Sequence, residues 1–350
     1  MVYFFQFFFH NINLNRLLFL VQPHARATRL ASCMTVDVKG EPENRMPFPF
    51  QPRYADLEER GHLLIVTFSR PKAMNSMPAA MHCELSKIFR YFDTNDNLWV
   101  AIVTGKGRAF SAGYDLKSAA GLAPKEDMEI DVVTGIDLSA PGPSGGTPGK
   151  KDGQGIPGGT GFAGLTERKG IKPVIAAVNG IAHGGGFETA LACDVLIASE
   201  RADFALPEPK VGLYAAAGGV VRLPRLIGFH NAMSMILTGR RVKASEAKSL
   251  GICQYVVPHE DLMKSAMGFA DKILACSPDA IQASLQVAKR SMAEELSMVD
   301  AITIANRYPA AVRMFKGPNT QEGPTAFSEK RKPNWCAPEP LGNFMGRSKL

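Results

Sequence analysis

The sequence predicts an α/β protein, and three observations carry that prediction. Apolar runs of strand length alternate with segments of helical period, the order expected of a parallel sheet with crossover helices. The runs are apolar at nearly every position instead of every second one, as in strands covered on both faces. Two glycine-rich stretches, 107–117 and 179–188, follow such runs directly, so bare backbone N–H groups stand at strand ends where a developing negative charge can be met.

Taken in order, residues 1–55 mix Pro, Asn and Arg without a sustained period and read as a poorly ordered extension. The core spans 56–258. Its first strand is the run Leu-Leu-Ile-Val-Thr-Phe at 63–68, followed by a turn at Arg70-Pro71. Met81, Leu85, Ile88, Phe89 and Phe92 share one helical face, which predicts a helix over 78–92. Residues 99–104 form a fully apolar strand. Two more are predicted at 174–178 and 195–198, with a short helix over 185–192 between them. After Gly219 the chain turns helical, over 226–237, 245–250, 260–275 and 278–298, with a strand-like piece at 252–257. A helical C-terminal region thus covers 259–335, and 336–350 is a tail.

Residues 118–170 form an insertion whose second half, from 141, is dense in Gly and Pro. Such a stretch buries too little apolar surface to offset its ordering entropy and is expected to be a mobile loop. Residues 159–164 match GxGxxG, but no strand precedes them and no helical pattern follows, so a dinucleotide fingerprint is rejected. Residues 142–146 match GxSxG without the strand-to-helix elbow that strains a nucleophilic serine into place. Gly/Pro composition explains both.

The 350 residues, 45% of them hydrophobic, supply ample apolar surface for a buried core. A balance of 40 basic against 33 acidic residues gives +7, which suits an anionic partner such as a CoA phosphate, a nucleic acid or a membrane surface without choosing among them. Six cysteines are scattered without CxxC pairs or His-rich spacing, so no metal site and no disulfide framework is expected, and the thiols read as free. There is no run of eighteen apolar residues, so no spanning helix is predicted. The aromatic start at 3–9 is broken by His10 and Asn11 and lacks the charged leader of a secretory signal.

Several motifs occur in one characteristic order: Arg70-Pro71-Lys72-Ala73-Met74-Asn75, Phe110-Ser111-Ala112-Gly113-Tyr114-Asp115-Leu116-Lys117, Gly184-Gly185-Gly186-Phe187-Glu188, Leu206-Pro207-Glu208, Ala217-Gly218-Gly219, Leu237-Thr238-Gly239 and Glu329-Lys330-Arg331-Lys332-Pro333. Over about 63–335 the chain resembles the enoyl-CoA hydratase/isomerase (crotonase) family, and within it a fungal, peroxisomal hydratase-like member. The resemblance implies a crotonase (ClpP-like) spiral core of ββα units. It also implies a C-terminal helical region that packs against neighbouring subunits in a homotrimer or homohexamer.

It further implies the site. Glu188 and Glu208 match the family's two catalytic glutamates. Two carboxyl groups in a dry cleft do not both ionise easily, so one holds a proton while the other stays basic. Glu188 is the expected base for the attacking water and Glu208 the acid for the alpha carbon, with the roles exchangeable. The backbone N–H groups of Tyr114 and Gly185 are the expected oxyanion donors. Tyr114 replaces the family's usual small residue, which keeps the donor and narrows the acyl pocket. A third backbone N–H, to position water, falls nearest Ala216, where the family usually has glycine. Lys72 and Lys330 are expected at the CoA phosphates or adenine, and Tyr114, Asp115, Leu116 and Lys117 along the bound substrate. By their own settings, Asp115 and Asp194 read as holders of backbone turns, and His183 as a packing residue.

The expected activity is therefore addition of water to a 2-enoyl-CoA, with CoA as part of the substrate and no separate cofactor. A double-bond isomerase, working with one glutamate, is the alternative. A non-catalytic RNA-binding member is the distant one, and the core lacks the basic stripe with interleaved aromatics it would need. Ser348-Lys349-Leu350 is a peroxisomal address read by an import receptor. Residues 1–36 carry Arg16, Arg26 and Arg29 and no acidic residue, the mark of a mitochondrial presequence, and the peroxisome is preferred. Relatives of this kind serve fatty-acid breakdown and secondary metabolism, so the pathway stays open.

Overall fold

The computed structural model describes residues 50–119, 160–294 and 296–343, within the unit that spans Gln51–Leu350. The N-terminal extension, most of the 118–170 insertion with its GxSxG match, and the terminal tripeptide lie outside the described residues. Ala55–Arg60 (β1) turns through Gly61 into Leu63–Phe68 (β2), and the two pair antiparallel from Ala55 on Phe68 to Arg60 on Leu63. Helix α1, Ala79–Thr94, buries Met81, Leu85, Ile88, Phe89 and Phe92, the stripe read from the sequence. Val100–Gly105 (β3) and Ala109–Ser111 (β4) follow, then the short helix α2, Leu116–Ala119.

Beyond the insertion come Val174–Val178 (β5), Ile181–His183 (β6), helix α3 at Gly185–Leu191, then Val195–Ser199 (β7) and Asp203–Ala205 (β8). Helices α4 (Gly219–Ile227) and α5 (Phe229–Ile236) precede strand β9, Val242–Lys243, and helix α6, Ala244–Leu250. Strand β10, Tyr255–Val257, leads into α7, Leu262–Leu274. The chain then runs through α8 (Pro278–Ala293), α9 (Met298–Ala305), α10 (Pro309–Lys316) and α11 (Asn319–Ser328).

Two sheets result. One has the order β1-β2-β3-β5-β7-β10, parallel from β2 onward; the other has the order β4-β6-β8-β9. Each of β3, β5 and β7 in the large sheet is followed by a short strand in the small one and then by a helix. That repeat is the ββα spiral. Helix α7 covers the large sheet, and Ala266 and Ala270 let it approach Ile102, Ile175 and Ile197 closely. The small strands β4, β6 and β8 lie parallel and end together, with His183 in register with Ala205 and Ala182 with Ser111. Three chain segments therefore leave one edge side by side, as ligand sites in open parallel sheets require.

The structure departs from the sequence reading where periodicity is blind. β1 alternates buried and exposed positions over Ala-Asp-Leu-Glu-Glu-Arg, so its polar face hid it in the extension and the loop after it. The single helix expected over 226–237 is two, broken at Gly228, whose φ of 79° and ψ of 155° only glycine adopts readily. The helix expected over 278–298 stops at Ala293, and α9 restarts where the Ser297 hydroxyl accepts from the Asp300 N–H at 3.1 Å. Cys193, Cys253 and Cys276 are free thiols as expected, whereas Cys336 is disulfide-bonded.

Candidate active site

The Arg70–Asn75 motif builds a turn. Asn75, buried at φ 53°, donates from Nδ2 to the carbonyls of Lys106 at 3.0 Å and Ala109 at 2.7 Å, while its Oδ1 accepts from the Arg70 N–H. This ties the end of β2 to the entry of β4. Ser111 Oγ donates to the Asn75 carbonyl, and Met77 forms a parallel bridge with Tyr114 in which the Met77 N–H donates to Gly113 and the Asp115 N–H to Met77. Such a bridge engages the residues flanking Tyr114 and turns the Tyr114 N–H to the opposite side. Its N–H has no acceptor among the described residues.

The second donor arises at a helix start. Gly184, at φ 54°, donates to the Ala205 carbonyl, and α3 begins at Gly185 with its N–H unclaimed, as the first amides of a helix are. Gly113 brings the two donors together. At φ 91°, a Cβ there would stand 2.8 Å from the Gly185 nitrogen and 2.7 Å from the His183 carbonyl. Only glycine permits that approach. The structure thus sets two bare amides, those of Tyr114 and Gly185, at adjoining strand ends.

Both glutamates converge on this corner. Glu188 lies one turn into α3, 3% exposed, and its Oε1 accepts from the Gly219 N–H at 2.7 Å. Gly218, at φ 106°, turns the chain so that α4 starts at Gly219 and aims its first N–H at the carboxylate. The amides at Glu188 are those of Gly219 and Ala217, next to Ala216, whose N–H was expected to position water. Glu208 opens the 3-10 turn after β8. Its Oε1 would lie 3.0 Å from a Cβ on Gly184, and its Oε2 is buried without a partner among the described residues.

Burial raises both carboxyls. Glu188 is pushed up to about 7 by burial first and by the charge of Glu208, against the pull of the Gly219 N–H, Arg222 and the Ala217 N–H. Glu208 is also raised by burial. Glu188 therefore gains and loses its proton near neutral pH, as a group that exchanges protons with substrate must. Arg222 lies close by, its guanidinium bound to the carbonyls of Ala217 and Thr166.

Other expected residues fall into place unevenly. Asp115 gives its carboxylate to Arg70 at 3.0 Å, to the Ser76 hydroxyl and to the Lys117 N–H, so it holds a turn. Asp194 accepts from the Val174 N–H and pairs with Lys289. His183 binds Asp203 at 2.8 Å. Lys72, Leu116, Lys117 and Lys330 are exposed, and no described contact joins them to the glutamates.

Two side chains were missed. Phe162, inside the rejected GxGxxG match, lays its ring on the Cα of Gly185, where an added Cβ would strike it. His82, on the buried face of α1, packs at a tilt against Phe162 with ring centroids 4.1 Å apart. The only sequence signal for His82 was a lone imidazole between Met81 and Leu85. No three His, Cys, Asp or Glu side chains among the described residues gather as a metal would need.

The sequence model of the enoyl-CoA hydratase/isomerase family matches residues 58–134 and 153–338. The chain is similar to a mevalonyl-coenzyme A hydratase of Beauveria bassiana, 36% identical over 277 residues that cover 78% of this chain and 91% of that protein. It is similar to a carnitinyl-CoA dehydratase of Proteus mirabilis, 39% identical over 287 residues that cover 80% of this chain and 97% of that one. Among solved structures, an enoyl-CoA hydratase from Mycobacterium tuberculosis superposes with a TM-score of 0.68 at 33% identity, covering 81% of this chain and 99% of its own. Two amides bare at adjoining strand ends, two buried carboxyls beside them and this breadth of likeness lead to one conclusion: the chain belongs to the enoyl-CoA hydratase/isomerase family, with the crotonase fold and a hydratase-type lyase activity.

Proposed function

We propose that the protein adds water across the double bond of a 2-enoyl-CoA to give a 3-hydroxyacyl-CoA. The observation that carries this reading is the pair of buried, raised carboxyls, one braced by the Gly219 N–H and the other with a bare oxygen, beside two unclaimed amides. The thioester carbonyl accepts from the Tyr114 and Gly185 N–H groups. Ionised Glu188 takes a proton from water as its oxygen bonds to the beta carbon. The electron pair of the double bond moves onto the thioester oxygen as an enolate, where each amide is worth on the order of 3 kcal/mol. Protonated Glu208 then delivers its proton to the alpha carbon, and proton exchange between the carboxyls resets the site. The Ala217 and Gly219 amides hold Glu188 in place, and the Ala216 N–H is proposed to position the attacking water.

At the outer end, exposed Lys72, Lys117 and Lys330 suit the CoA phosphates, and Leu116 the pantetheine chain. A homotrimer and peroxisomal residence, through Ser348-Lys349-Leu350, belong to the same proposal, as does the absence of any cofactor beyond CoA. The relatives named above, a hydratase and a dehydratase of CoA thioesters, support this reaction class and leave the acyl group open.

The test is a pair of single substitutions. Glu188→Gln and Glu208→Gln should each keep the fold and lower kcat/KM on enoyl-CoA by about 10²- to 10⁴-fold, read from loss of the conjugated thioester absorbance. The parent's rate should show an inflection near pH 7, where Glu188 titrates. If only Glu208 mattered, with double-bond migration intact in Glu188→Gln, the isomerase alternative would replace this reading.

A further inference from the structure

His82 is 4% exposed on α1, its ring centroid 4.1 Å from that of Phe162 and 6.1 Å from that of Tyr114. Those two side chains flank the bare amides: Tyr114 carries one, and Phe162 lies over the glycine that carries the other. The backbone fixes the tautomer. The Ala163 N–H donates to Nδ1 at 3.2 Å, so Nδ1 is the unprotonated nitrogen and the proton sits on Nε2. Nε2 is buried and finds no acceptor among the described residues. Burial also holds the ring neutral, its pKa lowered to about 4 with the Met77 carbonyl offsetting part of the effect. A histidine on an apolar helix face is ordinarily satisfied at both nitrogens. This one keeps, beside the Tyr114 and Phe162 rings, a neutral N–H donor with no partner at full hydrogen-bonding geometry among the described residues, the Met77 carbonyl lying near enough only to offset part of the burial. Such a buried donor is costly until an acceptor arrives.

We propose that His82 is a specificity residue of the acyl pocket, its Nε2–H donating to a hydroxyl or carbonyl oxygen on the acyl chain, so that this site takes an oxygenated enoyl chain over a plain hydrocarbon one. The inference rests on the reading of the corner as an enoyl-CoA site. The side chains around Nε2 that a bound chain would press aside, Phe162 and Tyr114, are both partly exposed. The Phe162 ring beside His82 is apolar, which makes a hydroxyl there unwelcome unless it is bonded.

The experiment compares 2-enoyl-CoAs bearing a hydroxyl at carbon 4, 5 or 6 with isosteres that carry a methyl in its place. For at least one position the parent should favour the hydroxyl by about tenfold or more in kcat/KM, the effect of one hydrogen bond made to an otherwise unpaired donor. His82→Phe should bring that ratio to about one or below, and His82→Gln, which retains an N–H donor, should keep most of it. Parent ratios of one or less at every position, or a preference that His82→Phe leaves intact, would overturn the proposal. Should the parent hydrate none of these thioesters, the hydratase reading fails separately. The same preference is then read without chemistry, as the Kd ratio of the saturated hydroxyacyl- and alkyl-CoA pair by calorimetry, and equal affinities would again overturn it.

Discussion

At Glu188 burial and the neighbouring Glu208 charge leave the folded chain holding a proton up to about pH 7, while the unfolded chain releases it near the ordinary carboxylate value of 4.5. Between those values the folded state binds more protons, so the stability contributed by this group falls as pH rises and the full penalty is present above 7. Glu188→Gln removes the titration and keeps an oxygen to accept from Gly219. It should therefore be more stable than the parent at pH 8, by on the order of 1–3 kcal/mol, and nearly equal to it at pH 4, as urea unfolding at the two pH values will show. The glutamates and the glycine triplet were legible in the sequence because their chemistry depends on residue type. His82 and Phe162 were not: what distinguishes them is which neighbours the fold sets beside them. Their arrangement also shapes mutagenesis at the oxyanion amide. Gly185→Pro deletes a donor but drives ring atoms into Phe162 as well, so a loss of activity there carries two causes.

Between elements, apolar spacing located β2, β3, β5, β7 and α1 to within one or two residues, since long buried faces impose a period. The strands that present the site, β4, β6 and β8, are three residues each and too short to show one. Helix ends escaped for a related reason, because the apolar stripe continues through the break at Gly228 and through the gap before Ser297. Backbone geometry makes the first of these testable. A Cβ on Gly228 meets nothing within 4 Å, so the cost of Gly228→Ala is purely conformational. It should lower unfolding stability by about 1–3 kcal/mol, seen as a lower urea midpoint with an unchanged m-value.

For the whole molecule, the net charge of +7 and the tail speak to where the protein works and what it meets. Deleting Ser348-Lys349-Leu350 from a chain tagged at its N-terminus should move it from peroxisomal spots to the cytosol, because the receptor reads a free C-terminus. Unchanged puncta would refute that address, and mitochondrial staining of a C-terminally tagged chain would favour the presequence instead. The spiral carries a different kind of consequence. Tyr114, Gly185 and Glu208 each follow a separate turn of it, and the turns are joined in large part through parallel strand pairs that close long loops. Parallel pairing of this kind forms late, after the entropy of loop closure has been met. A refolding chain would regain helix and much of its burial before any two site groups stood together, so catalytic competence belongs to the last event on the folding route.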